Sequence, residues 1–486
     1  MNRNLLYCLL AVYFLMVFFY SLNSGLTCTN DGSHFALVNA MVEHRSFELE
    51  ENIRFAKHDS AVSSGKIYSD RAPGFAFFLY LFNYALSPVK DFMQMINFDG
   101  FAFLRTDYPE DQRICLLQLA PAFCCAALSL VIFFLLRQLS YKPHVSAIVA
   151  VSFCFGTILL KYGTLLYSHI FTTLLVTLSY LFAIRYARDK GKSCLCASTF
   201  LLAYAVISEY MAIFLFLPLF IFYLCKCRKD FLRISHFTVF LVSGLIPAVL
   251  LMSYNYMNFG SPFSLAQFHH STYVFYHDFG SIFFGTDFLT NARSLLFCSP
   301  KYAILSDGSA VLSPGYVTLF GGSIFLVFIF LLPFAYLILK KRPSPEHVLF
   351  LSGFILSAAS IFSYTLCTGG IDLNYRHMLF AVPLLAPIVA EVFASVEGLS
   401  LRFNRKYAHS LFALIFIMTL IYSSLFQLRH LRSPFQAHHE IIAYNIASAV
   451  NNCSYFMLLS VIYAAVAISA WRLMPAKDKT EFKKDK

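Results

Sequence analysis

Apolar runs of about twenty residues recur along the whole chain, separated by short polar linkers. They fall at 5–22, 114–136, 146–163, 168–185, 194–210, 211–225, 235–256, 316–339, 348–366, 378–396, 409–426 and 456–472. Lipid offers the backbone no hydrogen-bond partner, so each run predicts a membrane-spanning helix. The expected fold class is all-α: a polytopic membrane protein of about 12 transmembrane helices, with interfacial helices in its first outer loop. The apolar stretch 73–88 opens with Pro73 at a first helical position and predicts an interfacial or re-entrant helix.

Charge sets the sidedness. With the N-terminus inside, the linkers RQLSYK, RYARDKGK, KCRKDFLR, KKRP and RFNRK fall in the cytoplasm, as do Arg3 and the tail KDKTEFKKDK. Together they hold most of the 37 Lys and Arg, as the positive-inside rule requires. A span at 73–88 would put Arg3 and the later basic linkers on opposite sides. Two long outer loops follow, 23–113 and 257–315, with shorter ones at 367–377 and 427–455.

Composition narrows this further. The 486 residues are 58% hydrophobic and 13% charged, with 55 Phe, which leaves no soluble domain of useful size. The chain reads as one membrane domain, 1–475, and a basic cytoplasmic tail, 476–486. The cytoplasmic linkers explain the net charge of +11, so no nucleic-acid partner is expected. Leu5–Leu22 is long for a signal-peptide core and Asn23–Leu26 is a poor cleavage site, so it reads as a retained span. Most of the 13 Cys lie inside apolar runs and act as small hydrophobes. Cys28, Cys298, Cys367 and Cys453 lie on or near outer loops, and the sequence does not pair them. His269-His270 and His438-His439 are adjacent pairs whose side chains point apart, a poor chelate, so no metal site is read. No cofactor is called for, and a divalent metal is left open.

One polar stretch stands out. Thr29–Gly74 holds Asp31, His34, Glu43, His44, Arg45, Lys66, Asp70 and Arg71 between two apolar segments. Asp31 lies just beyond the first span, before SHFALVNAMVEHRSFEL, which reads as an amphipathic helix with Phe35, Val38, Val42 and Phe47 on one side. An acidic residue there serves as a helix cap or as a general base at the membrane boundary. In GKIYSDRAPG, Lys66, Tyr68 and Arg71 precede the interfacial helix. Arg71 reads as a binder of lipid phosphate or as an interfacial arginine reaching to headgroups.

In order, a first span, an outer Asp, an amphipathic helix and a Tyr-x-x-Arg-x-Pro segment resemble the GT-C superfamily of integral-membrane glycosyltransferases. The chain looks similar to protein O-mannosyltransferases and to the bacterial lipid A aminoarabinose transferase, which take a sugar from a polyprenyl-phosphate carrier on the outer side. The resemblance implies that Asp31 is the catalytic carboxylate and that Arg71 contacts the donor phosphate. TGGIDLNYRHMLFAVP resembles a Gly-Gly…Arg-Tyr element whose Arg faces the donor. Here the order is Tyr375-Arg376-His377, so only Arg376 carries over. Lys161, His169, Glu209, Tyr375 and His377 sit at predicted outer boundaries; with His34 and Glu43 they are candidates for the cavity or the acceptor site.

Such chemistry needs a base, positive charge for the leaving phosphate, and an apolar groove. Asp31 suits the first. Arg71 and Arg376, with Lys66 or Lys161, suit the second, and Tyr68 is placed with Arg71, Arg376 and Lys66 as a residue binding the donor phosphate. One base and an in-line displacement would invert the anomeric centre of a transferred hexose or pentose. Glu43, Asp70, Glu209 and Asp372 all qualify as a second carboxylate. Expected partners are a polyprenyl-phosphate-linked sugar, a glycan, lipid or protein acceptor, and membrane lipids. The expected setting is a bacterial inner membrane with the site facing the periplasm or exterior. Two alternatives stay open: a polysaccharide polymerase or ligase, and a transporter or flippase for a lipid-linked or anionic solute. The spans hold almost no central charge and the chain no internal repeat, which weighs against the transporter.

Overall fold

This computed structural model describes residues 3–21, 25–96, 109–284, 287–297, 302–304, 310–312, 318–365, 367, 374–402 and 406–431. Its α-helices are α1 (Arg3–Tyr20), α2 (Thr29–Glu43), α3 (Ile53–Ala56), α4 (Gly74–Ile96), α5 (Pro109–Leu117), α6 (Leu119–Gln138), α7 (Pro143–Gly156), α8 (Leu159–Gly163), α9 (Ser168–Asp189), α10 (Lys192–Ser208), α11 (Phe216–Phe231), α12 (Ile234–Phe259), α13 (Phe279–Phe284), α14 (Phe288–Leu296), α15 (Leu319–Gly322), α16 (Leu332–Leu339), α17 (Pro345–Phe362), α18 (Ala386–Arg402) and α19 (Lys406–Leu431). Two antiparallel hairpins join β1 (Ser60–Ser63) to β2 (Lys66–Ser69) and β3 (Tyr302–Ile304) to β4 (Ala310–Leu312).

Six described helices are long and apolar enough to cross a membrane: Arg113–Gln138, Ser168–Asp189, Tyr210–Phe231, Ile234–Phe259, Pro345–Phe362 and Arg376–Ser400. Five shorter apolar helices accompany them, and each of the eleven overlays one apolar run of the sequence. The twelfth run, 456–472, and the basic tail lie outside the described residues. The protein is a multi-pass integral membrane protein, and its described residues are predominantly helical. Helix α12 turns Leu241, Val242, Leu245, Ile246 and Val249 outward, an apolar face suited to lipid.

The bundle has two chemically distinct ends. At one, basic linkers are tied to one another: Lys142 pairs with Glu397, Lys341 with Glu391, and Lys226 with Glu346 at 2.9 Å. At the other end the chain leaves the membrane in α2, the β1–β2 hairpin and the segment after α12. Three spans begin there in 3₁₀ turns, Tyr210–Leu215, Ile324–Leu331 and Arg376–Leu385, before continuing as α11, α16 and α18. Such long 3₁₀ runs are uncommon, and two of them start next to Glu209 and at Arg376.

Helix α2 differs from expectation in two ways. It starts one turn earlier, with Cys28 as N-cap and Asp31 completing a capping box, and it ends at Glu43, so Phe47 is off the helix. It is also not amphipathic: Asp31 through Met41 are all buried. Phe55 of α3 packs edge-on against Phe35 at 4.9 Å, Phe75 of α4 against His34 at 5.3 Å, and Ser69 of β2 bonds Ser33 at 2.9 Å. Helix α4 begins right after Pro73 as expected but continues through Pro88 to Ile96.

Candidate active site

The β1–β2 hairpin turns on Ser64 and Gly65, both with positive φ, 50° and 79°. Two such residues define the tight turn that matches strand twist, and glycine supplies one cheaply. The resulting register pairs Ser60 with Ser69. It therefore sets Asp59 and Asp70, the residues just outside that pair, side by side. Arg71 closes the group, with Nη2 2.7 Å from Asp59 and Nε 3.3 Å from Asp70. A second loop is stitched to the same strand: the Ser271 N–H donates to the Ser60 carbonyl at 2.8 Å, and Ala61 bridges His270. This brings His270 Nε2 to 3.6 Å from Asp70.

Electrostatics follow from burial and this packing. Burial opposes the charge on Arg71, but Asp59 and Asp70 outweigh it and hold the guanidinium protonated. Burial would raise Asp59, and Arg71 overrides it to hold the carboxyl below its usual range. Asp70 is pushed up to about 6, by burial first and by Asp59, against the pull of Arg71. His270 is held down at about 4 by burial and then by Arg71.

Ligand atoms of Asp59, Asp70 and His270 lie within 4.8 Å of one another, the spacing of a metal site. Their chemistry does not fit one. His270 Nδ1 accepts from the backbone N–H groups of Thr272 and Tyr273, at 3.0 and 3.1 Å. The neutral ring therefore carries its proton on Nε2, the nitrogen turned to Asp70. The guanidinium of Arg71 already supplies the cation between these carboxylates.

A second wall comes from the spans. His169, at the start of α9, places Nδ1 2.8 Å from Glu209, which also accepts from Ser168. The His169 ring lies edge-on to His377 at 5.7 Å, and His377 edge-on to Tyr364 at 5.6 Å. Tyr364 donates to the Tyr276 hydroxyl at 3.0 Å, and Tyr276 stacks on His270 at 5.2 Å, which closes the ring of contacts back to the hairpin. Arg71 and Arg376 both act on Tyr276: burial raises its phenol and the two cations oppose that. Arg376 also lies over the Tyr167 ring, 6.0 Å from its centroid.

Asp31 sits at the foot of this wall, fully buried. Its carboxylate accepts from Thr27 N–H at 2.7 Å, Thr27 hydroxyl at 2.8 Å and Cys28 N–H at 2.8 Å. Burial raises its pKa and these bonds oppose the rise. Cys28 caps the helix, touches the Tyr167 hydroxyl at 2.7 Å and is pushed up to about 12 by burial and by Asp31, so it is an unreactive thiol.

The structure thus brings Arg71, Arg376, His34, His169, Glu209 and His377 to one end of the bundle, around the β1–β2 hairpin. Others stand apart. Lys66 is exposed at the hairpin tip and pairs with Glu48 at 2.8 Å. Tyr68 packs in a small cluster with Tyr254 and Phe259. Glu43 closes the far end of α2 on Arg113 at 2.9 Å. Tyr375 is buried with its hydroxyl 3.2 Å from Ser323. Lys161 is half-buried in α8. Asp372 lies outside the described residues. Cys28 is a free thiol; Cys298 and Cys453 lie outside the described residues. Sequence reasoning missed Asp59, Tyr276 and Tyr364, and it set His270 aside. Only the hairpin signal Ser-Gly between alternating residues would have pointed to Asp59 beside Asp70.

No family model matches the chain, and no curated protein does. Among solved structures, the chain is similar to ArnT from Cupriavidus metallidurans bound to undecaprenyl phosphate, with TM-score 0.51 and 11% identity over 89% of this chain and 76% of that one. Against the apo state of ArnT the TM-score is 0.50, at 12% identity and the same coverage. An archaeal oligosaccharyltransferase from Archaeoglobus fulgidus gives 0.46 at 11% identity, over 87% of this chain and 56% of that one. The polytopic helical membrane fold expected from the sequence is the fold found, and it is similar to that of ArnT.

Proposed function

We propose that the protein is an integral-membrane glycosyltransferase. It moves a hexose or pentose from a polyprenyl-phosphate carrier to an acceptor hydroxyl on the extracytoplasmic face. A bacterial inner membrane, with the site toward the periplasm, is the setting we assign. The observation that carries the reading is Arg71, a charged guanidinium held by a hairpin at the membrane boundary of a GT-C fold, with Arg376 acting on the same neighbouring tyrosine.

In this reading the donor phosphate takes the place of Asp59 on Arg71, and Arg376 takes a second phosphate oxygen. The acceptor oxygen attacks the anomeric carbon as the bond to the phosphate oxygen breaks. The phosphate leaves with the bonding pair, and the two arginines stabilise that charge. Asp31 takes the acceptor's proton; burial makes it a better base than an exposed carboxylate. A second reading gives the proton to Asp59, favoured by its contact with Arg71 and its partial exposure. The acceptor stands as a glycan, lipid or protein hydroxyl, and no cofactor enters the scheme.

The test is transfer by membranes holding the full chain, supplied with polyprenyl-phosphate-linked sugars, for wild type, Arg71→Ala and Asp31→Asn. Transfer that survives Arg71→Ala at normal expression would refute the phosphate assignment. Transfer by none of the three proteins, wild type included, would sink the reading as a whole.

A further inference from the structure

His34 and His169 carry polar atoms that the fold leaves unmatched. His34 is 1% exposed, and neither ring nitrogen has a hydrogen-bond partner among the described residues. His169 is 5% exposed; Nδ1 is spent on Glu209 and Nε2 has no partner. A buried polar atom without a partner carries the full cost of its desolvation, and native folds rarely retain several together without a reason. His34 lies one helical turn after Asp31, on the same side of α2. Its charged neighbours are Arg71 and Asp59 of the hairpin group and Glu209 and His169 of the spans, so it lies between the two walls of the site.

Resting on the glycosyltransferase reading, we infer that His34 and His169 form the wall that reads the sugar, and that this sugar is a neutral, hydroxyl-bearing ring. A neutral imidazole offers one donor and one acceptor, the pair that two neighbouring hydroxyls match. Burial and the charge of Arg71 hold His34 down at about 3, so it stays neutral across the working range. Nδ1 of His169 is engaged by Glu209 at 2.8 Å, which leaves its buried Nε2 for a sugar hydroxyl. Neither histidine is a phosphate ligand: the phosphate belongs to the arginines, and the histidines distinguish the loaded carrier from the spent one.

This separates two kinds of binding. Purified full-length protein in lipid nanodiscs is titrated with polyprenyl phosphate and with a panel of polyprenyl-phosphate hexoses and pentoses. The variant is His34→Phe, which keeps the ring against Phe75 and removes both nitrogens. Wild type is expected to prefer one sugar-linked carrier over bare polyprenyl phosphate. His34→Phe is expected to lose that preference about ten-fold, the scale of one or two hydrogen bonds, with affinity for bare carrier unchanged. Its melting temperature is expected to hold or rise, since an unmatched buried imidazole is replaced by an apolar ring. A wild-type preference kept by His34→Phe overturns the inference while the phosphate site stands. A fall in affinity for both carriers alike, or a collapse of folding, shows that the imidazole serves the fold and overturns it as well. His34→Gln is the second variant, and recovery of part of the preference is expected because it restores a donor and an acceptor.

Discussion

Arg71 lies 2.7 Å from Asp59, and the two meet because a two-residue turn pairs Ser60 with Ser69. Eleven residues of chain between them do no more than fold back on themselves. The guanidinium is therefore held charged and oriented by its two carboxylate neighbours, and in the function proposed above the donor phosphate would take the place of Asp59.

Arg71→Ala should weaken carrier binding by about 2–5 kcal/mol, the range for truncating one partner of a buried charge pair. It should also destabilise the fold, since Asp59 and Asp70 would face each other without the cation. Adding Asp59→Asn to Arg71→Ala should restore part of the melting temperature and none of the binding. Thermal melts beside carrier titrations check both halves; equal melting temperatures for the single and double variants would contradict the coupling.

Asp31→Asn and Asp59→Asn separate the two proton acceptors. Asp31 also completes the cap of α2, so its amide variant should lose about 0.5–2 kcal/mol of stability whatever its chemistry. Asp59 caps nothing. If Asp31 is the base, Asp31→Asn should lower the rate by about 10²–10⁴-fold with donor binding retained. Single-turnover rates at saturating donor decide this: a normal rate for Asp31→Asn with a collapsed rate for Asp59→Asn gives the proton to Asp59.

Asp70 predicts a pH effect. Its folded pKa, about 6, lies above the ordinary 3.8 because of burial and Asp59. A carboxyl raised in this way favours the fold fully below 3.8, and that contribution is lost as pH rises through about 6. Asp70→Asn should therefore raise the melting temperature at neutral pH, and the gain should shrink as pH falls below 6. Protonation of Asp70 also removes a negative charge from beside Arg71. Affinity for the phosphodiester donor should rise as pH falls through about 6 in wild type and stay flat in Asp70→Asn. A flat wild-type profile would exclude Asp70 as the titrating group.

Gly74 tests how tightly the hairpin is held against the bundle. A methyl group there would lie 2.7 Å from the Ile207 carbonyl oxygen and 2.5 Å from the Ser208 hydroxyl. The carbonyl cannot yield as a flexible side chain would. Gly74→Ala should push α4 away from α10, cost about 1–3 kcal/mol and lower activity by shifting Arg71, three residues earlier. Unchanged melting and activity would mean that this contact does not position the site.

The sequence by itself determined the membrane architecture. Hydrocarbon demands helices of one length, and charge bias orders the linkers, so eleven apolar runs could be matched to eleven apolar helices. Arg71, Arg376, His169 and Glu209 were also visible, because an ionisable residue at a membrane boundary stands out against its surroundings. The tertiary structure alone decided which polar groups meet. Asp59 became a neighbour of Arg71 through a hairpin register that a few short-range residues specify weakly. His270 and Tyr276 arrived from a loop some two hundred residues away by pairing with that hairpin. Asp31 was set both as a cap and at the site by the exact turn at which α2 begins. Apolar length is read locally, residue by residue; the partners of a buried charge are fixed only when distant segments pack.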